Sequence, residues 1–167
     1  MFRLLLAMVL VSSAAVPAYA EVLGGMFGEG RSQFTLVAGN AYAFEKSYFV
    51  IGGSASYYLV DGLGVGFSLE NWSGGGPGIR KYAPFVQYVF YQVPRVQPYV
   101  GAFYRHTAIS GLPGIKSTGA RAGLLLTSGA NAYVSIGVVH EAYLDCQVSI
   151  YRVCRETYPD ITVAFGF

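Results

Sequence analysis

Hydrophobic and polar positions alternate with a period of two along most of this chain. In residues 63–72, Leu63, Val65, Phe67 and Leu69 alternate with Gly64, Gly66, Ser68 and Glu70. The closing residues do the same, with Pro159, Ile161, Val163, Phe165 and Phe167 set against Asp160, Thr162, Ala164 and Gly166. Between them, Val134, Ile136 and Val138 alternate with Ser135 and Gly137. Successive side chains of a strand point to opposite faces, so each run predicts a strand with one apolar face. Eight such runs are expected, over residues 31–42, 48–59, 63–72, 82–91, 97–105, 117–127, 132–143 and 157–167. Beyond residue 20, no long stretch keeps apolar residues at helical spacing, and none is apolar for the 18 residues a membrane helix needs.

The links between runs alternate in character. Val60-Asp61-Gly62, residues 92–96 around Pro94, and residues 127–131 read as short turns. Residues 43–47, 73–81, 106–116 and 144–156 read as a mostly longer set. Short turns at one end and longer loops at the other predict an all-β fold, an eight-stranded antiparallel up-and-down transmembrane β-barrel.

Composition decides which medium the apolar face meets. The chain of 167 residues is 53% hydrophobic but only 12% charged, and it holds 22 Gly. Soluble domains carry about 25% charged residues, and disorder requires low hydrophobicity. The second face of the strands is mainly Gly, Ser, Thr and Ala, with Lys absent, as a narrow lumen requires. A soluble barrel or sandwich would need charges on its water-facing side, so the apolar face is assigned to lipid. Runs of about ten residues match the 9–11 that a tilted membrane strand needs, and closure satisfies the backbone inside hydrocarbon. Tyr and Trp near the run ends, among them Tyr48, Tyr57, Tyr58, Trp72, Tyr99 and Tyr143, are expected to form interfacial girdles.

Residues 1–20 read as a cleaved signal peptide: Arg3 is basic, residues 4–11 are apolar, and Ala18-Tyr19-Ala20 precedes a cut before Glu21. The barrel then occupies residues 21–167 and is exported to the outer membrane of a Gram-negative cell. The 11 Lys+Arg and 9 Asp+Glu are scattered, and without a basic stripe nucleic acid is excluded as a partner.

Candidate chemistry is sparse. His106 and His140 are the only histidines, no metal-ligand spacing is present, and no catalytic residue, metal or cofactor is expected. Parity places Glu70, Arg105, Arg121 and Glu141 on the small inward face, where they are expected to form a hydrogen-bonded ion cluster, with Glu141 diagonal to Arg121. Cys146 and Cys154 share the longest expected loop, in a chain sent through an oxidising compartment. Seven intervening residues allow the Cα approach that a disulfide needs, so one bond between them is expected.

The eight runs, the turn Tyr57-Tyr58-Leu59-Val60-Asp61-Gly62-Leu63, the opening Pro98-Tyr99-Val100-Gly101-Ala102 and the terminal Phe167 resemble small outer-membrane β-barrels. The resemblance is to the eight-stranded set around the outer membrane protein A membrane domain and its stand-alone relatives. It implies that lipid and lipopolysaccharide surround the barrel. It also implies that Ile161, Val163, Phe165 and Phe167 form the signal read by the assembly machinery. The expected role is structural or surface-interacting, toward an unidentified extracellular ligand, with a packed and at most narrowly conducting, porin-like lumen and no further domain. The alternative is a lipid A-modifying enzyme of deacylase or acyltransferase type. That deacylase pattern has His-x-Ser on a strand, whereas this chain has His106-Thr107-Ala108 and His140-Glu141-Ala142.

Overall fold

The computed structural model describes residues 25–43, 45–93, 95–127, 132–144, 146 and 154–166. The signal peptide assigned to residues 1–20 and the terminal Phe167 lie outside the described residues. After a short 3₁₀ turn (Gly25–Phe27), the chain forms β1 (Ser32–Ala43), β2 (Lys46–Val60), β3 (Leu63–Gly74), β4 (Ile79–Val89), β5 (Val96–Ile109), β6 (Leu112–Thr127), β7 (Ala132–Tyr143) and β8 (Arg155–Gly166). Each strand pairs antiparallel with the next, and β1 with β8, closing an up-and-down barrel.

Alternation sets which side chains face in. On β3, Val65, Phe67 and Leu69 are exposed, while Gly64, Gly66, Ser68 and Glu70 face the lumen. Phe34 and Leu36 on β1, Phe49 and Ile51 on β2, Ile136 and Val138 on β7, and Ile161, Val163 and Phe165 on β8 are likewise exposed. A band of large apolar side chains thus encircles the outside, the reverse of what water favours for a monomer.

Three expectations are corrected. The loop set at one end is not mostly long. β5 runs through His106 to Ile109, and β6 starts at Leu112, so Pro113 and Gly114 lie in a strand rather than in a loop. Gly111 takes φ +79° and turns the chain in two residues, which a side chain there would strain. The β1–β2 and β3–β4 links are also short, which leaves the β7–β8 connection, between Tyr143 and Arg155, as the long one. Second, Lys is not absent from the inner face: β4 begins at Ile79, so Lys81 falls inside the strand and lines the lumen. Third, several residues assigned to interfacial girdles turn inward. Tyr48, Tyr58 and Tyr99 are buried in the lumen, and Trp72 lines it. These rings fill space that the Gly-rich walls leave open.

Candidate functional site: the barrel lumen

The turn end of the lumen is stoppered by the segment preceding β1. Phe27 is 2% exposed and lies between Tyr58 and Tyr133, with ring centroids 5.8 and 5.6 Å away. Backbone bonds hold it there: the Gly62 amide donates to the Phe27 carbonyl at 2.8 Å, and the Gly30 amide to the Tyr58 carbonyl at 2.9 Å. The Gln33 side-chain amide donates to the Met26 carbonyl at 3.1 Å. Val89, Tyr99, Leu125 and Ala164 complete this cluster.

A polar ladder rises from the stopper. The Tyr58 and Tyr133 hydroxyls both donate to Gln33 Oε1, at 3.1 and 2.9 Å. Gln87 Nε2 donates to the Tyr58 oxygen at 2.9 Å, and Arg121 Nη2 donates to Gln87 Oε1 at 2.9 Å. The Arg121 guanidinium also lies 4.4 Å from the Phe85 ring centroid. Its Nε and the Tyr99 hydroxyl are buried without a hydrogen-bond partner among the described residues.

Nearer the loop end, Arg105 Nη1 and Glu141 Oε2 form an ion pair at 2.5 Å. The Glu141 carboxylate also accepts from the Ser117 hydroxyl and, at 2.7 Å, from the Tyr158 hydroxyl, which in turn accepts from Arg105. Three donors on one 2%-exposed carboxylate compensate a charge that burial would otherwise penalise. Opposite, Glu70 accepts from Trp72 Nε1 at 3.0 Å, and the Lys81 ammonium sits 4.0 Å over the Trp72 ring. Tyr48, Ile79 and Ile109, packed with Trp72 and Ile115, form an apolar cluster at the loop end on the side of β2 to β6.

Beyond the stopper lies a cavity of about 420 Å³, lined by Ser54, Ser68, Lys81, Arg121, Tyr158 and Asp160 among others. The structure therefore places Glu70, Arg105, Arg121 and Glu141 all on the inner wall. It joins Arg105 to Glu141, while Arg121 turns to Gln87 and Glu70 to Trp72. Glu141 is diagonal to Arg121, since Gly119 faces Glu141 and Arg121 faces Val139, but they share no ion pair. Sequence reasoning missed Lys81, Asp160, Tyr58, Gln33 and Gln87. Asp160 was legible, because it alternates with Pro159 and Ile161. Lys81 was hidden by a strand start placed too late.

Outside the lumen, His140 is exposed, and its Nδ1 lies 2.9 Å from Thr157 Oγ1. Cys146 and Cys154 form a disulfide, with Cα atoms 5.6 Å apart, at the base of the long connection. The Tyr143 amide donates to the Cys154 carbonyl at 3.0 Å and the Leu144 amide to the Lys116 carbonyl at 2.8 Å, tying the loop base to both β7 and β6.

No protein-family model matches the chain, and no curated protein matches it. Among solved structures, it is similar to the N-terminal β-barrel domain of Pseudomonas aeruginosa OprF, at 18% identity and a TM-score of 0.65. That match covers 84% of this chain and 99% of the other. Two further matches are the outer membrane protein OprG from Pseudomonas aeruginosa and the outer membrane protein AlkL. The first has 14% identity, a TM-score of 0.46, and covers 88% of this chain and 99% of the other. The second has 11% identity, a TM-score of 0.40, and covers 92% of each. The chain has the fold of a small outer-membrane β-barrel.

Proposed function

We propose that this protein is an integral outer-membrane barrel with a structural and surface-interaction role, and that its lumen is blocked along its axis. The observation that carries this is the stopper at the turn end, where Phe27 is buried between Tyr58 and Tyr133. Eight strands leave a bore that side chains fill, unlike the 16–18 of porins. Arg105 and Glu141, with Arg121 and Glu70 below and beside them, serve as the polar filling that fixes the barrel's inner geometry. Lipid and lipopolysaccharide surround the apolar band. Ile161, Val163 and Phe165, exposed on one face of β8, support a reading of that strand as the assembly signal. The disulfide-clipped β7–β8 loop is the part offered to an extracellular ligand.

Recording from the purified protein in planar lipid bilayers tests the lumen. The expected record shows no resolved conductance steps in molar KCl; a steady open channel would overturn the axial block. Protease added to intact cells tests the display. Cleavage within residues 147–153 is expected, and full protection of that loop would overturn the surface role.

A further inference from the structure

Charge divides between the two faces of the barrel wall. Among the described strand residues every carboxylate points inward: Glu70, Glu156 and Asp160 line the cavity, and Glu141 pairs with Arg105 beside it. The outward positions carry the opposite sign. Arg80 alternates with the inward Ile79 and Lys81, Lys116 with Ile115 and Ser117, and Arg155 with Glu156, while His106 and His140 also face out. These five residues stand one on each of β4 to β8, all in the loop-end half of the strand. The described outward positions of β1, β2 and β3 carry no charge.

Three of them form one patch. Across β4, β5 and β6, Tyr82 faces His106 and His106 faces Lys116, and Arg80 faces Ala108 one step nearer the loops. Side chains so paired stand about 4.5–5.5 Å apart at Cβ. Gly114 is the next outward residue of β6 beyond Lys116, and a Cβ there would lie 2.9 Å from the His106 ring. The imidazole therefore lies over Gly114. With Ala108 also small, no bulky side chain stands between Arg80, His106 and Lys116. None of these three side chains has a hydrogen bond or ion pair among the described residues. Their depth follows from β6, whose outward positions run from Leu126 to Lys116, ten residues apart. At about 3.3 Å per residue and a tilt of about 40°, that is about 25 Å, the height of the apolar band. Lys116 thus stands at headgroup level, on the side of the long β7–β8 connection, which is the outer leaflet. Toward the turn end, Ala102 faces Ala120 and Val100 faces Ala122, with all three alanines exposed. Beneath the patch, β5 and β6 therefore carry a shallow furrow, flanked by Val86 on β4 and Val138 on β7.

We propose that Arg80, His106 and Lys116 bind a phosphate group on the lipid anchor of lipopolysaccharide, with an acyl chain of that anchor laid in the alanine furrow of β5 and β6. Charge selects the headgroup. Two free cations with no outward carboxylate near them lack a counter-ion from the protein, and a neutral or zwitterionic head supplies no net charge to match them. A phosphomonoester brings more than one negative charge and three acceptor oxygens. The Arg80 guanidinium presents its donors as a planar fork that suits phosphate, Lys116 adds a point charge, and His106 stands between them as a ring-nitrogen donor. Depth and the furrow select a lipid over a soluble anion. The site is one-sided, because β1 to β3 present no outward cation. This inference deepens the reading that lipopolysaccharide surrounds the apolar band, and it rests on that reading.

The full protein in micelles of an uncharged detergent is titrated with bis-phosphorylated lipid A and with the same lipid freed of phosphate, and bound lipid is counted by native mass spectrometry. Expected is one phosphorylated lipid held roughly tenfold or more tightly than the dephosphorylated one. Arg80→Gln with Lys116→Gln should weaken it about 25-fold, about fivefold for each cation at an anionic surface. Arg31→Gln with Arg95→Gln removes the same charge at the turn end and should leave binding unchanged. Equal binding of the two lipids, or equal losses in the two double variants, would overturn the proposal. So would displacement of the lipid by millimolar inorganic phosphate, because the occupant would then be a free anion. The wild type gives a second reading without any substitution. The chain has three lysines, Lys46, Lys81 and Lys116. The phosphorylated lipid should protect Lys116 several-fold from an amine-acylating reagent and leave Lys46, at an inner rim position, as reactive as before. Equal protection of the two, or none, would overturn the site. The unboiled gel band, run on every sample, keeps the failures apart. A compact, heat-shifted band without selective binding refutes the site and leaves the barrel standing, whereas absence of that band in the wild type refutes the barrel on which the site rests.

Discussion

Replacing Arg105 by alanine leaves the Glu141 carboxylate alone inside the barrel. The pair is at 2.5 Å, with side chains 14% and 2% exposed. Removing one partner of a buried ion pair costs about 3–5 kcal/mol, mainly because the remaining charge keeps its desolvation penalty. Ser117 and Tyr158 still donate to the carboxylate, which puts Arg105→Ala near the lower end, about 3 kcal/mol. Glu141→Gln keeps the shape and one acceptor oxygen while releasing Arg105, which is nearer the loop end, to water. Its cost is about 1–2 kcal/mol, the scale of a lost charged hydrogen bond. The double variant should then be more stable than the sum of the two losses implies, by about 1 kcal/mol or more. Urea unfolding in detergent micelles, followed by Trp72 fluorescence and by gel mobility without boiling, measures all four proteins. If the two losses add to within about 0.5 kcal/mol, the charges do not act as a pair and the reasoning fails.

Phe27→Ala removes the stopper's ring and should cost about 3–5 kcal/mol, the range for a fully buried Phe. It should also produce conductance steps in bilayer recordings that the wild type lacks; unchanged silence would show that Phe27 does not seal the bore. Cys146→Ser with Cys154→Ser should assemble normally but be cut faster by added protease, since the bond constrains a loop of about nine residues, worth about 2.5 kcal/mol on the chain-entropy estimate. Mass measurement after alkylation of the unreduced, denatured protein should find no labelled cysteine. Deleting Phe167, or replacing it by Asp, should sharply lower the amount recovered in the outer membrane, and unchanged recovery would count against the final strand as an assembly signal.

The strands were legible because one rule governs them: in residues 63–72 every second side chain meets lipid, and the pattern cannot slip without inverting both faces. Ends were less legible. Ser110-Gly111 and Pro113-Gly114 carry the composition of a loop, yet one positive-φ glycine suffices for a hairpin and Pro113 only lacks a donor near a strand start. The luminal charges followed from parity, which is why Glu70, Arg105, Arg121 and Glu141 could be placed on the inner wall. Their partners could not. Arg121 chooses Gln87, a residue 34 positions away on β4, two strands along the wall, over the diagonal Glu141. Such choices depend on barrel curvature and on Gly-rich walls that let rings such as Tyr99 lean across. The Phe27 stopper was hidden for a related reason: nothing in residues 25–27 differs from an ordinary apolar turn until Tyr58 and Tyr133 are brought beside it.

The central claim is that this chain crosses the outer membrane as a closed barrel with its apolar band in lipid. The measurement that tests it most directly is migration of the protein, recovered from separated membrane fractions, on a gel with and without boiling. The account predicts recovery in the outer-membrane fraction, with a compact, faster band that shifts to the unfolded position on heating. Recovery as a soluble periplasmic protein, or a single position unaffected by boiling, would contradict it.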